Sequence, residues 1–340
     1  MSNIIFPAEW HTQSGVMLTW PHEDTDWAGA LEDVLECFTS IACEIVKCEK
    51  LLVVCADVEE ARERLRSLNP ERIIFRQVMS NDSWARDHAG IPVYLNDSPR
   101  VCDFTFNGWG MKYPACRDNM ITRRLFELDA YAPGVRRIDM QPFVLEGGSI
   151  ESDGCGTLLT TRRCLASDNR NEHMTCEAIE EFLGDALGVR RILWLEHGHI
   201  EGDDTDSHVD TLARFCSEDS IAYVRCTDTS DESYESLAGM ERELKAFRRE
   251  NGEPYRLMPL PMAERIEQGG RRLPATYANF LVINGAVLVP FYNSPLDEEA
   301  ALVLGRAFPG RKIKGVNCLP LIAQGGSLHC VTMQYPQKFL

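Results

Sequence analysis

The chain has 340 residues, of which 44% are hydrophobic, so one large domain or two ordinary ones with a sizeable core are within reach. Its formal charge is −17, with 35 Lys and Arg against 52 Asp and Glu, which disfavours nucleic acid as a partner and suits a cationic ligand, although solubility alone explains most of these charges. No apolar run approaches the roughly 18 residues of a membrane span, and MSNIIFPAEWHTQ lacks the basic and apolar regions of a secretory signal, so a cytoplasmic location is expected. The 13 cysteines form no CxxC pair, which argues against a zinc ribbon or a thioredoxin-like site and for reduced core thiols.

Apolar, β-branched runs predict strands at 51–55, 72–78, 90–95, 101–106, 157–161, 191–195, 221–225, 280–285, 286–292 and 328–334. Residues 28–50 predict a helix, because Leu31, Val34, Leu35, Phe38, Ile41, Ile45 and Val46 recur at helical spacing. Further helices are predicted near 57–68, 117–129, 174–187, 234–248 and 296–308, with centres about 60 residues apart, the spacing of a repeat. Two segments also look alike: LEGGSI (145–150) and AQGGSLHC (323–330) each set Gly-Gly-Ser before an apolar strand. A five-fold αβ repeat around a central site accounts for both, and an ordinary three-layer α/β protein is the alternative. No linker divides the chain, so one domain over 1–340 is expected.

In chain order, NDSWARDHAG (81–90) brings the first candidates, Asp82, Trp84, Arg86 and Asp87. A carboxylate beside an aromatic ring can grip a flat cation; an Arg86–Asp87 surface pair is the plainer reading. Glu146 ends an apolar run, so it is either a site residue or half of a buried ion pair, since an unpartnered buried charge is costly. Residues 197–210 hold three histidines and five acids, at His197, His199, Glu201, Asp203, Asp204, Asp206, His208 and Asp210. A metal centre is one reading, although neither HExxH nor an EF-hand loop is present. The other takes 208–210 as the start of a strand, with a His208 acid/base and the Asp210 carboxylate on one face. Cys330 is placed in a strand after a glycine turn, one thiol among thirteen, favoured as a nucleophile by the match to the turn at Glu146. Residues 305–312 miss the P-loop lysine and 154–156 miss the dinucleotide glycines, so no nucleotide site is expected.

Seven segments in order resemble the agmatine deiminase family, related to bacterial peptidyl-arginine deiminases: WPHEDTDW (20–27), NDSWARD (81–87), FNGWGMKY (106–113), LEGGSIESDGCGTLLTT (145–161), DDTDSHVD (203–210), NFLVINGAVLVP (279–290) and QGGSLHC (324–330). The resemblance implies an α/β, five-bladed, pseudo-symmetric ββαβ propeller of the pentein type. It implies Cys330 as nucleophile, His208 as general acid/base, and Asp87 and Asp210 as the carboxylates that hold a guanidinium. Glu146 matches the acid that orients His208 and substrate. Trp84, Asp206 and Trp109 match substrate-binding positions. The reaction implied is hydrolysis of agmatine to N-carbamoylputrescine and ammonia, a step towards putrescine, by a cofactor-free and metal-free homodimer. RDHAG, Ser207 and QGGSLHC depart from the family's RDTGP, Gly and GGGNIHC forms; the catalytic residue types remain, and free or peptidyl arginine stays an alternative substrate. A metal-dependent hydrolase and a non-catalytic binding propeller are the rival classes.

Overall fold

The helices and strands of this chain alternate because its apolar residues switch between periods of about four and two. The computed structural model describes residues 3–340, an α/β arrangement of small sheets. One connectivity recurs five times: an antiparallel strand pair, a helix, then a strand parallel to the second of the pair. The clearest cases are Ala213–Ser217 and Ser220–Arg225, then helix Tyr234–Ala246 and strand Arg256–Pro261; and Leu281–Ile283 and Ala286–Phe291, then helix Leu296–Ala307 and strand Lys312–Asn317. A third runs Ile150–Ser152, Thr157–Thr161, helix Cys176–Leu187 and strand Arg191–Leu195. A fourth runs Ile91–Leu95, Ser98–Thr105, helix Ile121–Glu127 and strand Arg136–Val144.

The fifth set joins the two ends of the chain. Strand Thr332–Pro336 pairs antiparallel with Gln13–Thr19, and helix Leu31–Cys48 then leads to parallel strand Lys50–Cys55. Here the structure alters the predicted period. The helix in the equivalent position is Leu31–Cys48, not the one near 57–68; helix Val58–Arg64 instead leads to an additional parallel strand, Ile73–Gln77.

The predicted helices are present, and helix Leu31–Cys48 buries Val34, Leu35, Phe38, Ile41, Ile45 and Val46 as its spacing requires. Strand Gln13–Thr19 and the third strands of three sets, Arg136–Val144, Arg256–Pro261 and Lys312–Asn317, escaped prediction. Those third strands carry charges and exposed positions because they lie at sheet edges, where only part of a face is covered. The central strands Lys50–Cys55 and Thr157–Thr161 are almost wholly buried and were legible as apolar runs.

Where the first and last segments meet the middle of the chain, charge is buried. Arg214 is 1% exposed and lies between Glu9 and Glu151, donating to both carboxylates and to the carbonyls of Ala278 (3.2 Å) and Phe280 (2.9 Å). Arg86 reaches the same Glu9 at 3.2 Å and donates to the Gln334 side-chain oxygen. Removing the cation strands two acids in a low-dielectric site, which costs about 3–5 kcal/mol. Arg214→Met is therefore expected to lower the unfolding free energy by that amount, whereas Arg190→Met, at an exposed pair with Glu250, should change it by under about 1 kcal/mol; equal losses in a urea titration would refute the contrast.

Candidate active site

Short irregular segments between strands supply the site. Residues Ala85–His88 form one helical turn after Trp84. Both Arg86 and Asp87 are buried, and the Arg86 guanidinium turns to Glu9, so the surface pair considered for them does not form. Residues Gly147–Ser149 and Val209–Thr211 are single 3-10 turns. His208 precedes the second of these, so 208–210 is a turn; the strand starts at Ala213. Cys330 likewise lies in a turn, two residues before strand Thr332–Pro336, not within the strand. In each case the apolar run was read one element too early, because turn residues packed in a core are as apolar as strand residues.

Gly148 is where these turns converge. A Cβ there would stand 2.7 Å from His208 Nδ1, 2.8 Å from Asp87 Oδ1 and 3.2 Å from Asp210 Oδ2. Only hydrogen leaves room for all three groups. Its backbone N–H also donates to Asp87 Oδ1 at 3.0 Å, and Trp109 Nε1 donates to Asp87 Oδ2 at 3.0 Å. Gly326 plays the matching part on the other side: a Cβ would come within 2.2 Å of the Trp84 ring, so the indole packs directly on the backbone four residues before Cys330. Trp84 Nε1 donates to Asp82 Oδ2 at 3.1 Å.

Asn279 holds the cysteine turn. Its Oδ1 accepts from the backbone N–H groups of His329 (2.8 Å) and Cys330 (3.3 Å), while its Nδ2 lies 3.2 Å from Cys330 Sγ and 3.3 Å from Asp210 Oδ2. Cys330 Sγ is 3.7 Å from the same Asp210 oxygen. Sequence reasoning quoted Asn279 only as part of a segment; its role shows once the fold sets 279 beside 330, where the His329 N–H meets the Asn279 carbonyl and side chain.

Burial sets the protonation of these groups. It raises the Asp87 carboxyl to about 7, with the Glu146 charge adding to the rise. Burial and then the Asp87 charge push Asp210 well above the carboxylate range. Burial, helped by Asp210 and Asp87, lifts the Cys330 thiol well above its ordinary value, so the resting sulfur is protonated. Burial, then the Arg170 cation, drives His208 well below the imidazole range, so it rests neutral. Neither His208 ring nitrogen has a hydrogen-bond partner among the described residues; the nearest acid is Asp87, at 3.6 Å.

Glu146 is half of a buried ion pair: Arg170 Nε lies 2.8 Å from its Oε1, and Oε2 has no partner among the described residues. No hydrogen bond joins it to His208, although a Glu146 oxygen, a His208 nitrogen and Cys164 Sγ lie within 4.8 Å of one another. Asp206 does not line the cleft: Arg170 (2.6 Å) and Lys112 (2.8 Å) take its oxygens. Two acid-and-histidine groups have metal-like spacing, Glu146–Cys164–His208 and Glu9–Glu151–His329. Arg170 already occupies the cation position beside the first, and Arg214 that of the second. Apart from His208, the 197–210 residues contribute to neither; His197, for one, pairs with Glu243 at 2.5 Å.

The resulting cleft has about 410 Å³ of space; its lining includes Trp84, Asp87, Trp109 and Cys330, with Asp26, Asp82, Asp204 and Tyr113 towards the rest of it. Four of its lining residues are aspartates and none is Lys or Arg. An aromatic, acidic slot ending at a cysteine suits a planar cation.

The Porphyromonas-type peptidyl-arginine deiminase family matches residues 5–336. This chain belongs to that family. Among curated relatives, the agmatine deiminase of Ectopseudomonas mendocina is 30% identical over 97% of this chain and 95% of its own length. A solved Porphyromonas gingivalis structure, provisionally named an arginine deiminase, is 52% identical, covers 99% of this chain and 100% of its own, and superposes with a TM-score of 0.95. A cysteine-to-serine variant of C. jejuni agmatine deiminase with substrate bound is 36% identical, covers 100% of this chain and 98% of its own, with a TM-score of 0.92.

For this deiminase-family chain, Gly148→Ala is expected to leave far-UV circular dichroism unchanged and to cut kcat/KM about 100-fold, as ångström-scale misplacement of reacting groups does. Activity within threefold of the parent would show that the three groups do not act together.

Proposed function

We propose that this protein is an agmatine deiminase, hydrolysing agmatine to N-carbamoylputrescine and ammonia, one step of putrescine biosynthesis. The observation that carries the reading is the buried pair of carboxylates, Asp87 and Asp210, facing Cys330 and His208 around Gly148. A guanidinium entering between them supplies the missing positive charge. It also removes the repulsion that holds the thiol protonated, so the thiolate forms only with substrate in place. His208, neutral and buried, takes the thiol proton. The thiolate attacks the guanidinium carbon, and His208 returns the proton to the departing nitrogen as ammonia leaves. A covalent amidino-thioether on Cys330 remains. Water then loses a proton to His208, attacks the same carbon, and releases the ureido product with the regenerated thiol.

In this scheme Glu146, anchored by Arg170, sets the field around His208; Trp84 and Trp109 wall the guanidinium; and Asp206 acts through Arg170 and Lys112. No cofactor enters the chemistry. The five repeated strand–helix sets are, in our reading, blades of one five-bladed propeller forming a single catalytic domain over 1–340, acting as a cytoplasmic homodimer. The support for the blades is their shared connectivity; the dimer rests on the family resemblance, and the location on the signal-like pattern that residues 1–13 lack. No helix of the described residues is long and apolar enough to cross a membrane.

The family's name and the Porphyromonas gingivalis neighbour favour a second reading, an arginine or peptidyl-arginine deiminase. The cleft weighs against it, because a substrate carboxylate needs a cation and the lining has none, whereas Asp26, Asp82 and Asp204 suit an amine. Ammonia release is expected from agmatine at least 100-fold faster than from arginine or arginine peptides, and Cys330→Ser should abolish it. Faster release from arginine would select the second reading; no release from any guanidine would refute both.

The pH dependence follows from Asp87. Its carboxyl, raised to about 7, binds a guanidinium only when ionised, that is above this value. KM for agmatine is therefore expected to fall as pH rises from 6 to 8, approaching a tenfold change per pH unit at the acidic end. A KM that is constant over this range, in initial-rate assays, would contradict the assignment.

A further inference from the structure

His329 precedes the nucleophile and has no part in the scheme above. It is 1% exposed, and its ring is held at both nitrogens. Nδ1 lies 2.7 Å from Asp210 Oδ2, and Nε2 lies 2.7 Å from Glu9 Oε1 and 2.9 Å from Arg214 Nη2. The Nδ1 contact requires a proton, because bare oxygen and bare nitrogen repel at 2.7 Å; at Nε2 the Glu9 carboxylate and the donor-only Arg214 guanidinium compete, and charge balance decides. Charge balance gives the chain Asp210–His329–Glu9 two protons. That leaves it with one negative charge. Arg214 and Arg86 add two positive charges around it and Glu151 one negative, so the buried group as a whole is neutral. With a single proton the group would carry an uncompensated charge in the core.

Two placements satisfy this inventory with Glu9 ionised, as the cations beside it hold it. Either Asp210 is protonated and donates to Nδ1 while neutral His329 donates Nε2–H to Glu9, or His329 is an imidazolium between two carboxylates. They differ only in the position of one proton along a 2.7 Å hydrogen bond. The surroundings select the first for the empty site. Burial and the neighbouring Asp87 charge disfavour ionised Asp210; Arg214 and Arg86 disfavour imidazolium; and those cations, with His329, hold Glu9 ionised despite its burial. Other charged or ionisable groups facing this chain are Glu151 and Cys216 at Arg214, Asp203 at Asp210, and Cys330. A cation in the cleft reverses the preference, because it is closest to Asp210 and stabilises the ionised carboxylate.

We propose that His329 is the proton store of the site: when a guanidinium enters, the proton on Asp210 Oδ2 moves to His329 Nδ1, so Asp210 meets the substrate ionised and no proton leaves the protein. The imidazolium is then flanked by Asp210 and Glu9, and the proton returns when the cation departs. Glu9 comes from the N-terminal segment and lines a second cavity of about 520 Å³ that shares no lining residue with the cleft. The store is therefore screened from the substrate side. His329 is a positioning residue, acting on substrate through Asp210. The inference rests on the proposed guanidine chemistry only for the identity of the cation that triggers the transfer.

The test is histidine-selective nitrogen NMR of the Cys330→Ser protein, which keeps the chain but blocks turnover, with the His329 signal assigned from its loss in a His329→Asn variant. Without ligand, His329 should be the neutral tautomer protonated at Nε2. With saturating agmatine it should become imidazolium. A resting imidazolium, or a resting Nδ1–H tautomer, overturns the proposal without reference to any substrate. A neutral His329 in protein shown by calorimetry to be saturated with agmatine also overturns it. If the resting tautomer is as expected but no guanidine binds, the agmatine deiminase reading fails and the resting arrangement stands. Calorimetry in two buffers gives an independent readout. His329→Asn keeps a hydrogen-bonding group beside Asp210 but cannot store a proton, so it should release one proton more per agmatine bound than the parent. Should that variant fail to fold, Glu9→Gln, which removes only the charge flanking Nε2, should abolish the agmatine-induced charging of His329. Unchanged proton release in His329→Asn, or unchanged charging in Glu9→Gln, would refute the store.

Discussion

The structure is organised around acids that burial would rather see neutral. Asp87 and Asp210 are 3% and 0% exposed, and each raises the pKa of Cys330. Two carboxylates in a low-dielectric interior cannot both stay ionised without compensation. Fixed partners meet part of the demand: the Trp109 indole and Gly148 N–H donate to Asp87, Asn279 donates to Asp210, and His329 Nδ1 lies 2.7 Å from Asp210. The rest is left unmet by the protein's own groups. That deficit suits a cation, because a positive charge entering there would gain a pair of acids that solvent cannot screen.

The same constraint explains the cations deeper in the molecule. Arg86 and Arg214 do not face the cleft lining; they neutralise Glu9 and Glu151 behind it. Arg170 does the same for Glu146 and Asp206. Each arginine thus balances acids drawn from distant parts of the chain, and each pins a turn that carries a site residue. Stability and function are joined at these contacts: the ion pairs that let acids be buried also set how those acids titrate. The thiol and the imidazole share the logic. Both rest uncharged because their surroundings penalise charge.

Much of this was legible in the chain. The apolar runs at 51–55 and 157–161 are strands with those bounds or within a residue of them, because central strands are covered on both faces; the run at 191–195 is an edge strand with those bounds, legible because its apolar residues are continuous. The roughly 60-residue spacing pointed to repeated units, although it took the helix near 57–68 for one that belongs at 31–48. Edge strands such as Lys312–Asn317 were not legible, since half-covered strands alternate with charge and resemble loops. Among site residues, Asp87, His208, Asp210 and Cys330 could be picked out by chemistry and family likeness. Asn279, Arg170 and His329 could not, because nothing local distinguishes them.

The sequence by itself determined which residues had to be buried, where the chain turns and which side chains bear reactive groups; those follow from local periodicity and side-chain chemistry. Only the tertiary structure decided what those groups are. It made Asp87 and Arg86 strangers rather than a pair, sent Asp206 to Arg170 and Lys112, and set His329 between Asp210 and Glu9, residues 119 and 320 positions away. A pKa depends on burial and on charges within a few ångströms, and the chain order does not contain those distances until strands 13–19 and 332–336 have paired.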